Sequence, residues 1–380
     1  MKTPRIDTFS FFSGGGGLDL GFTAADFRVL YASDIDEFSC KTLKLNENRT
    51  DYYMGHMVDP SDIHNFDAAS TLKKLGKKTA DIGFVIGGPP CQAFSIFGRR
   101  KGLADPRGNL VYEYAKVIKA LQPDGFLFEN VAGLKTIHEG SLYDDLLEKF
   151  SFRGKYTVSA HEYEMANHGI PQFRRRVFFI GSKSSKVIPQ MEATHVAPNQ
   201  LFNGHRPYNT AGMALSGMTE PGPDRALFNH IGRNHSERIV DRYASLRFGE
   251  RDSHTRINKL DPERPSYTII VGSDMGGGKG HVHPFVPREV TPRESARIQT
   301  FPDWWEFAGI GRHVIRQVGN AVPPLFAAQL AAHIKEHLFG VRNKTDFDYF
   351  VDRINLPFLK PTNDYRSIQP QNPLQRAHMV

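Results

Sequence analysis

"IDTFSFFSGGGGLDLGF", residues 6–22, reads as a strand, a glycine turn and the start of a helix. Ile6 to Phe11 is rich in apolar and aromatic residues of the kind that fill a buried strand. The four glycines that follow Ser13 sustain neither strand nor helix, but bare backbone there lets a ligand approach closely. The next strand candidate, Val29 to Ala32, is followed at once by "SDID", which supplies Asp34 and Asp36. A carboxylate just past the second strand of a βαβ unit is where a nucleotide's ribose hydroxyls are held. A helix N-cap accounts for one of these carboxylates, but not for the pairing of both with the turn.

Further along, Ile82 to Ile86, Gly125 to Phe128, Thr157 to Glu162 and Val177 to Ile180 continue the strand pattern, with helical spacing over Val111 to Leu121 and Tyr143 to Phe150. Strands alternating with helices predict an α/β fold: a Rossmann-like, mostly parallel sheet covered on both faces. Residues 184 to 290 break the pattern, being rich in Pro, Gly, His, Asn and Arg. Regularity returns with "TPRESARIQTF" and with "PPLFAAQLAAHIKEHLF", each with proline in its first turn. The expected division is a catalytic and cofactor-binding domain of residues 1–183 plus 304–340, a smaller loop-rich domain of 184–303, and a polar, loosely attached C-terminal extension of 341–380. The last helix is expected to pack back on the first domain.

Composition narrows the classes. Of 380 residues only Cys40 and Cys91 are cysteine, which excludes a disulfide framework, and no Cys/His cluster has zinc spacing, so no metal is expected. No stretch approaches the ~18 apolar residues of a membrane span, and the polar, glycine-broken N-terminus is no signal peptide. These features predict a soluble protein of a reducing compartment. A net charge of +7 is compatible with a nucleic-acid partner but does not establish one.

No P-loop lysine follows the glycine turn, and Leu18 and Asp19 interrupt a GxGxxG spacing. The site therefore suits a nucleoside without a pyrophosphate. S-adenosylmethionine is one such ligand, and NAD is its competitor on these residues alone. Two further groups fall at carboxyl ends of predicted strands. Cys91, in "GGPPCQAFS" (87–95), follows Ile82 to Ile86, held by Pro89 and Pro90. Glu129 and Asn130 follow Gly125 to Phe128. A lone cysteine is more often an inert core residue, and a lone glutamate often caps a turn. A thiol and a carboxyl group on one sheet edge instead form a plausible pair for covalent catalysis.

The ordered segments "FFSGGGG", "PPCQAFS", "ENV", "QFRRR" (172–176), "RESARIQTFPD" (293–303) and "QVGNAVPP" (317–324) resemble the motifs of the cytosine-C5 DNA methyltransferases, from about residue 6 to 335. The resemblance implies a Rossmann-like S-adenosylmethionine-dependent domain, with the loop-rich region as its target-recognition domain. It implies a cofactor site of Phe12, Gly14, Gly16, Gly17, Asp34, Ile35, Pro90, Leu110, Asn320 and Val322. Cys91 would be the nucleophile, Glu129 the acid at N3 of cytosine, and Arg174 and Arg176 would hold the nucleotide and the carboxylate. One departure stands out. Where the family often has Gly-Asp-Ile, with the Asp on the adenine amino group, this chain has Gly55-His56-Met57; Asp59 or Asp62 can substitute, and the contact is unassigned.

C5 of cytosine is too weak a nucleophile to take a methyl group directly, so a thiolate must first add at C6 while N3 is protonated. A stacked base is out of reach, and the target must be flipped out at a cost of a few kcal/mol. "SIFGRRKGLADPRGNL" (95–110) sets Arg99, Arg100, Lys101 and Arg107 against one acid and reads as a mobile loop closing on DNA phosphates, with Gln92 and Ser95 at its root. In the recognition domain, Arg233-Asn234-His235, "RFGERDSHTR" (247–256) and "SDMGGGKGH" (273–281) are candidate base readers. The expected substrate is double-stranded DNA, modified by a monomer in a prokaryotic cytoplasm that protects it from a cognate restriction endonuclease. Two alternatives stay open. One is a transfer-RNA cytosine-C5 methyltransferase, whose branch carries a Cys-Phe-Thr signature in the variable region, whereas residues 184 to 290 here lack cysteine. The other is a non-catalytic DNA-binding relative.

Overall fold

The computed structural model describes residues 5–90, 109–135, 141–201, 204–222, 227–269, 271, 280–342 and 346–360. Cys91, Gln92, Ser95, Arg99, Arg100, Lys101 and Arg107 lie outside the described residues. The chain divides into two compact units. One comprises residues 1–164, 175–192 and 327–345, the other 165–174, 193–326 and 346–380.

The first unit is built on strands β1 (Ile6–Phe11), β2 (Phe27–Ser33), β3 (Met57–Asp59), β4 (Phe84–Gly87), β5 (Gly125–Val131), β6 (Thr157–Glu164) and β7 (Arg175–Ser182). They form a seven-stranded sheet in the order β3-β2-β1-β4-β5-β7-β6. Pairing is parallel from β3 to β5, whereas β7 runs antiparallel to both β5 and β6. Strand order reverses between β1 and β4, and in open α/β sheets the ligand crevice lies at that switch point.

β4 and the first half of β5 are apolar runs because both their faces are covered, whereas β1 sets Phe9 and Phe11 between buried Thr8 and Ser10. Phe9, Phe11, Val85, Phe126 and Phe128 face one way and pack with Val111, Tyr114, Ile118 and Leu121 of helix Asn109–Leu121 and with Phe150 of helix Ser141–Ser151. Phe84 faces the other way, against Phe22, Phe27 and Phe339. Buried Lys335, on helix Pro324–Phe339, donates to the carbonyl of Ala25 at 3.1 Å, and Leu338 fills the space a side chain at Gly125 would need.

The second unit has short elements and relies on buried polar clamps. Arg293, fully buried, donates to the carbonyls of Phe228 at 2.7 Å, Pro302 at 2.9 Å and Trp305. A small apolar cluster of Tyr243, Ile257 and Val282 holds the middle. The boundaries differ from those read in the sequence. Residues 304–326 belong to this unit, because Trp305 and Phe307 pack on Phe301 and Arg293 ties down their loop. The segment after 345 is no loose extension up to residue 360. Helix Phe347–Ile354 buries Phe350 and Ile354 completely, Phe347 packs on His195, and Arg206 makes a bidentate pair with Asp348. Its polar residues are the outer face of an amphipathic helix, which is why composition alone read as a tail.

Candidate active site and cofactor cleft

Register aligns the carboxyl ends of five strands. Phe11 pairs with Ser33 and with Gly87, Ser33 with Asp59, and Gly87 with Phe128. The residues one step beyond that row therefore share an edge: Phe12, Asp34, Gly88 and Glu129.

Over β1 the backbone turns sharply. Phe12 (φ 55°), Gly14 (φ 53°) and Gly16 (φ 81°) are left-handed, a conformation that glycine adopts without strain. Gly16 then caps helix Gly17–Ala24, and Gly17 starts it, fully buried. The Asp34 carboxylate fastens this turn, accepting from Gly14 N and from Asp36 N, both at 2.8 Å. Ile35 beside it is 70% exposed, a large apolar side chain standing open at the edge of the cleft. Pro90 is exposed at the end of the β4 segment, while Leu110 and Phe12 are half-buried against the core.

The acid and its base-side partner are assembled next door. Arg176 Nε lies 3.0 Å from Glu129 Oε1, because antiparallel β7 begins beside the end of β5, with Val131 opposite Arg176. Gly88 makes room for this carboxylate: a Cβ there would sit 3.1 Å from Glu129 Oε2. Buried Asn130 donates from Nδ2 to the Pro89 carbonyl at 3.3 Å, tying the ends of β4 and β5 together immediately before Cys91. Sequence reasoning missed that role for Asn130. The other cysteine, Cys40, is buried and donates to the Asp34 carbonyl; burial pushes its thiol up to about 11, so it stays protonated.

His56 precedes β3, at the amino end of that strand, whereas Asp59 closes β3 at the carboxyl edge and accepts from the Tyr31 hydroxyl at 2.8 Å. Asp62 caps the following turn through His64 N.

Within the second unit, buried Arg174 donates to the carbonyl of exposed Asn320 at 3.4 Å, and Val322 is buried nearby in sequence. Of the candidate base readers, the turn over residues 251–256 is braced by buried Asp252. That carboxylate accepts from Arg242 Nε, from the amides of His254 and Thr255 and from the Thr255 hydroxyl. Arg251, Ser253, His254 and Arg256 are left exposed on it. Arg233 pairs with Glu289 at 3.2 Å. Residues 273–279 lie outside the described ones.

The model of the C-5 cytosine-specific DNA methylase family matches residues 6–336. The chain is similar to the type II methyltransferase M.NgoFVII of Neisseria gonorrhoeae, 32% identical over 87% of this chain and 86% of that one. It is equally similar to M1.HphI of Haemophilus parahaemolyticus, at 32% over the same shares. Among solved structures, a prophage-encoded E. coli protein described as a DNA modification methyltransferase superposes with a TM-score of 0.70 at 27% identity, covering 88% of this chain and 100% of that one. A Spodoptera frugiperda DNMT2 structure, 16% identical at a TM-score of 0.58 over 88% of this chain and 100% of that one, shares the fold. Matched by that family's model over residues 6–336, the chain belongs to the C-5 cytosine-specific DNA methylase family.

Proposed function

We propose that this protein methylates C5 of a cytosine flipped out of a specific duplex DNA sequence, as the modification enzyme of a restriction–modification system in a prokaryotic cytoplasm. S-adenosylmethionine is the methyl donor of the family. The edge over β1 and β2 fits it: a left-handed glycine turn, the Asp34 carboxylate beside it for ribose hydroxyls, and exposed Ile35 for an adenine face. Gly14, Gly16 and Gly17 would carry the backbone past it, with Phe12, Pro90, Leu110, Asn320 and Val322 completing the site. When bound, it supplies a methyl group on a positively charged sulfur.

The observation that carries the reading is the Glu129–Arg176 pair set against Gly88, one strand from the segment that ends in Cys91. Cys91 would add to C6 of the base, and Glu129 would deliver a proton to N3, so that electron density reaches C5. Arg176 would hold the Glu129 carboxyl group in place, and Arg174 the nucleotide. After transfer, loss of the C5 proton and elimination of the Cys91 sulfur restore aromaticity. Arg99, Arg100, Lys101 and Arg107 would meet phosphates, with Gln92 and Ser95 close to the flipped base. Arg251, His254 and Arg256, held out on a braced turn, are suited to the groove. Similarity at about 30% identity to type II methyltransferases supports DNA over transfer RNA as the substrate.

Duplex DNA with 5-fluorocytosine at the target tests the chemistry, since fluorine cannot leave C5 as a cation and elimination stalls. The protein should remain bonded to DNA through Cys91 only when S-adenosylmethionine is present. Cys91→Ser should abolish the adduct and Cys40→Ser should not. An adduct that survives Cys91→Ser ends the mechanism. A parallel methyl-transfer assay on transfer RNA decides the substrate class.

A further inference from the structure

Asp19 lies in the first turn of helix Gly17–Ala24, directly behind the glycine turn, and is fully buried. Neither of its buried carboxylate oxygens makes a well-formed hydrogen bond. The groups facing it are the Ser10 and Ser13 hydroxyls, which bond to each other at 2.8 Å, the Asp34 carboxylate and the Tyr53 phenol. Among the described residues it makes no ion pair. Burial raises its carboxyl to about 7, with Asp34 adding to the rise and the serines opposing it. Burial likewise pushes the Tyr53 phenol well above its usual value, leaving it neutral around pH 7. A first-turn acid serves a helix dipole equally well from the surface. Burying one with hydroxyls but no cation facing it costs stability that those hydroxyls offset only in part.

What the pocket lacks is a cation, and the ligand proposed for the cleft brings one. We propose that Asp19 is a positioning residue of the cofactor cleft that separates cofactor from product, being ionised when the sulfonium is bound and protonated when the neutral thioether takes its place. The inference rests on S-adenosylmethionine occupying the cleft over this turn. Charges act over several ångströms in a poorly solvated interior, so contact is not required. A positive sulfur stabilises the ionised form of Asp19, and by linkage ionised Asp19 strengthens binding of the sulfonium but not of the thioether. Methyl transfer erases that charge. Asp19 then takes a proton from solvent, and the advantage that held the cofactor is withdrawn from the product.

Calorimetry on the full-length protein tests this with two probes, S-adenosylmethionine and S-adenosylhomocysteine, near pH 7 in buffers of different ionisation enthalpy. Cofactor binding should release a fraction of a proton per site and product binding none. The cofactor's α-ammonium group titrates at lower pH than the product's because of the sulfonium, so each free ligand is titrated separately and its own contribution subtracted. Between pH 6 and 8.5 the ratio of product Kd to cofactor Kd should rise about fivefold, the change expected in that window when a carboxyl titrating at about 7 is displaced by one unit. In Asp19→Asn, near in shape, both the proton release and the pH dependence should vanish, with melting used to verify folding. A wild-type ratio that stays flat with pH overturns the assignment even if the variant fails to fold, as does proton release that persists in a folded Asp19→Asn. Failure of both ligands to bind at any pH is distinguishable, because it removes the cofactor site itself.

Discussion

Glu129 is positioned by its neighbours' backbone more than by its own packing. Its carboxylate occupies the space left by the missing side chain of Gly88 and meets Arg176 across the β5–β7 edge. Gly88→Ala would place a methyl group 3.1 Å from Glu129 Oε2, so the carboxylate must yield by a few tenths of an ångström. Turnover is expected to fall roughly tenfold, given that displacements near 1 Å cost about a hundredfold. Single-turnover methylation and a melting curve together check that the loss is in chemistry and not in stability. At Asp34, one carboxylate fixes the glycine turn through Gly14 N and is the group proposed to hold the ribose hydroxyls. Asp34→Ala should weaken S-adenosylmethionine binding by about 1.5–3 kcal/mol, the range for hydrogen bonds to a charged group. Calorimetry giving unchanged affinity would remove Asp34 from the site.

Helix Pro292–Ile298 shows how an element with few residues is fixed. Thr291 and Glu294 form a capping box, Pro292 presets the first turn, and Glu294 accepts both Nη groups of Arg288 at 2.7 Å. Glu294 is fully buried, yet its carboxyl is held down to about 2, because the Arg288 and Thr291 hydrogen bonds and the charges of Arg288 and His283 outweigh desolvation. A carboxyl depressed in the folded state adds stability that is complete above its unfolded value near 4.5 and lost as pH falls from there towards 2. Acid unfolding followed by circular dichroism should show this loss, and Glu294→Gln should flatten it. Because that variant leaves Arg288 without its charge partner, it should also cost about 3–5 kcal/mol at neutral pH. The C-terminal helix makes a comparable test. Ending the chain before Asp346 removes the buried Phe350, Ile354 and Leu356, each worth about 1.5–3 kcal/mol. The shortened protein should melt far below the full chain or fail to fold, and an unchanged melting temperature would show the segment to be dispensable.

Across the whole molecule the division of labour is between a rigid sheet edge and a unit of short elements with its own small core. Exchanging residues 193–290 for those of a relative should change which sequence is methylated while the adduct through Cys91 still forms. A chimera that is active but keeps its original target would place specificity elsewhere. With a net charge of +7, DNA binding should also weaken steeply between about 50 and 200 mM salt, as each neutralised phosphate releases counterions. Filter binding across that range checks it.

Much of the first unit was legible because its determinants are local. Alternating Phe9 and Phe11 mark β1, apolar runs mark β4 and the start of β5, and the glycines after Ser13 permit a left-handed turn, so these elements and the placement of Asp34 and Glu129 on one sheet edge follow from the residues themselves. The sequence alone could not show that β7 runs antiparallel beside β5, which is what carries Arg176 to Glu129, since pairing between distant segments leaves no periodic trace in either. Nor could it separate His56 from Asp59, because which end of β3 faces the cleft depends on its register with β2. The tail after residue 345 read as polar because a helix shows composition but hides which face it buries. Asp19 was just another residue after the glycines until packing closed over it, since burial is a property of the neighbours that the fold supplies and not of the residue.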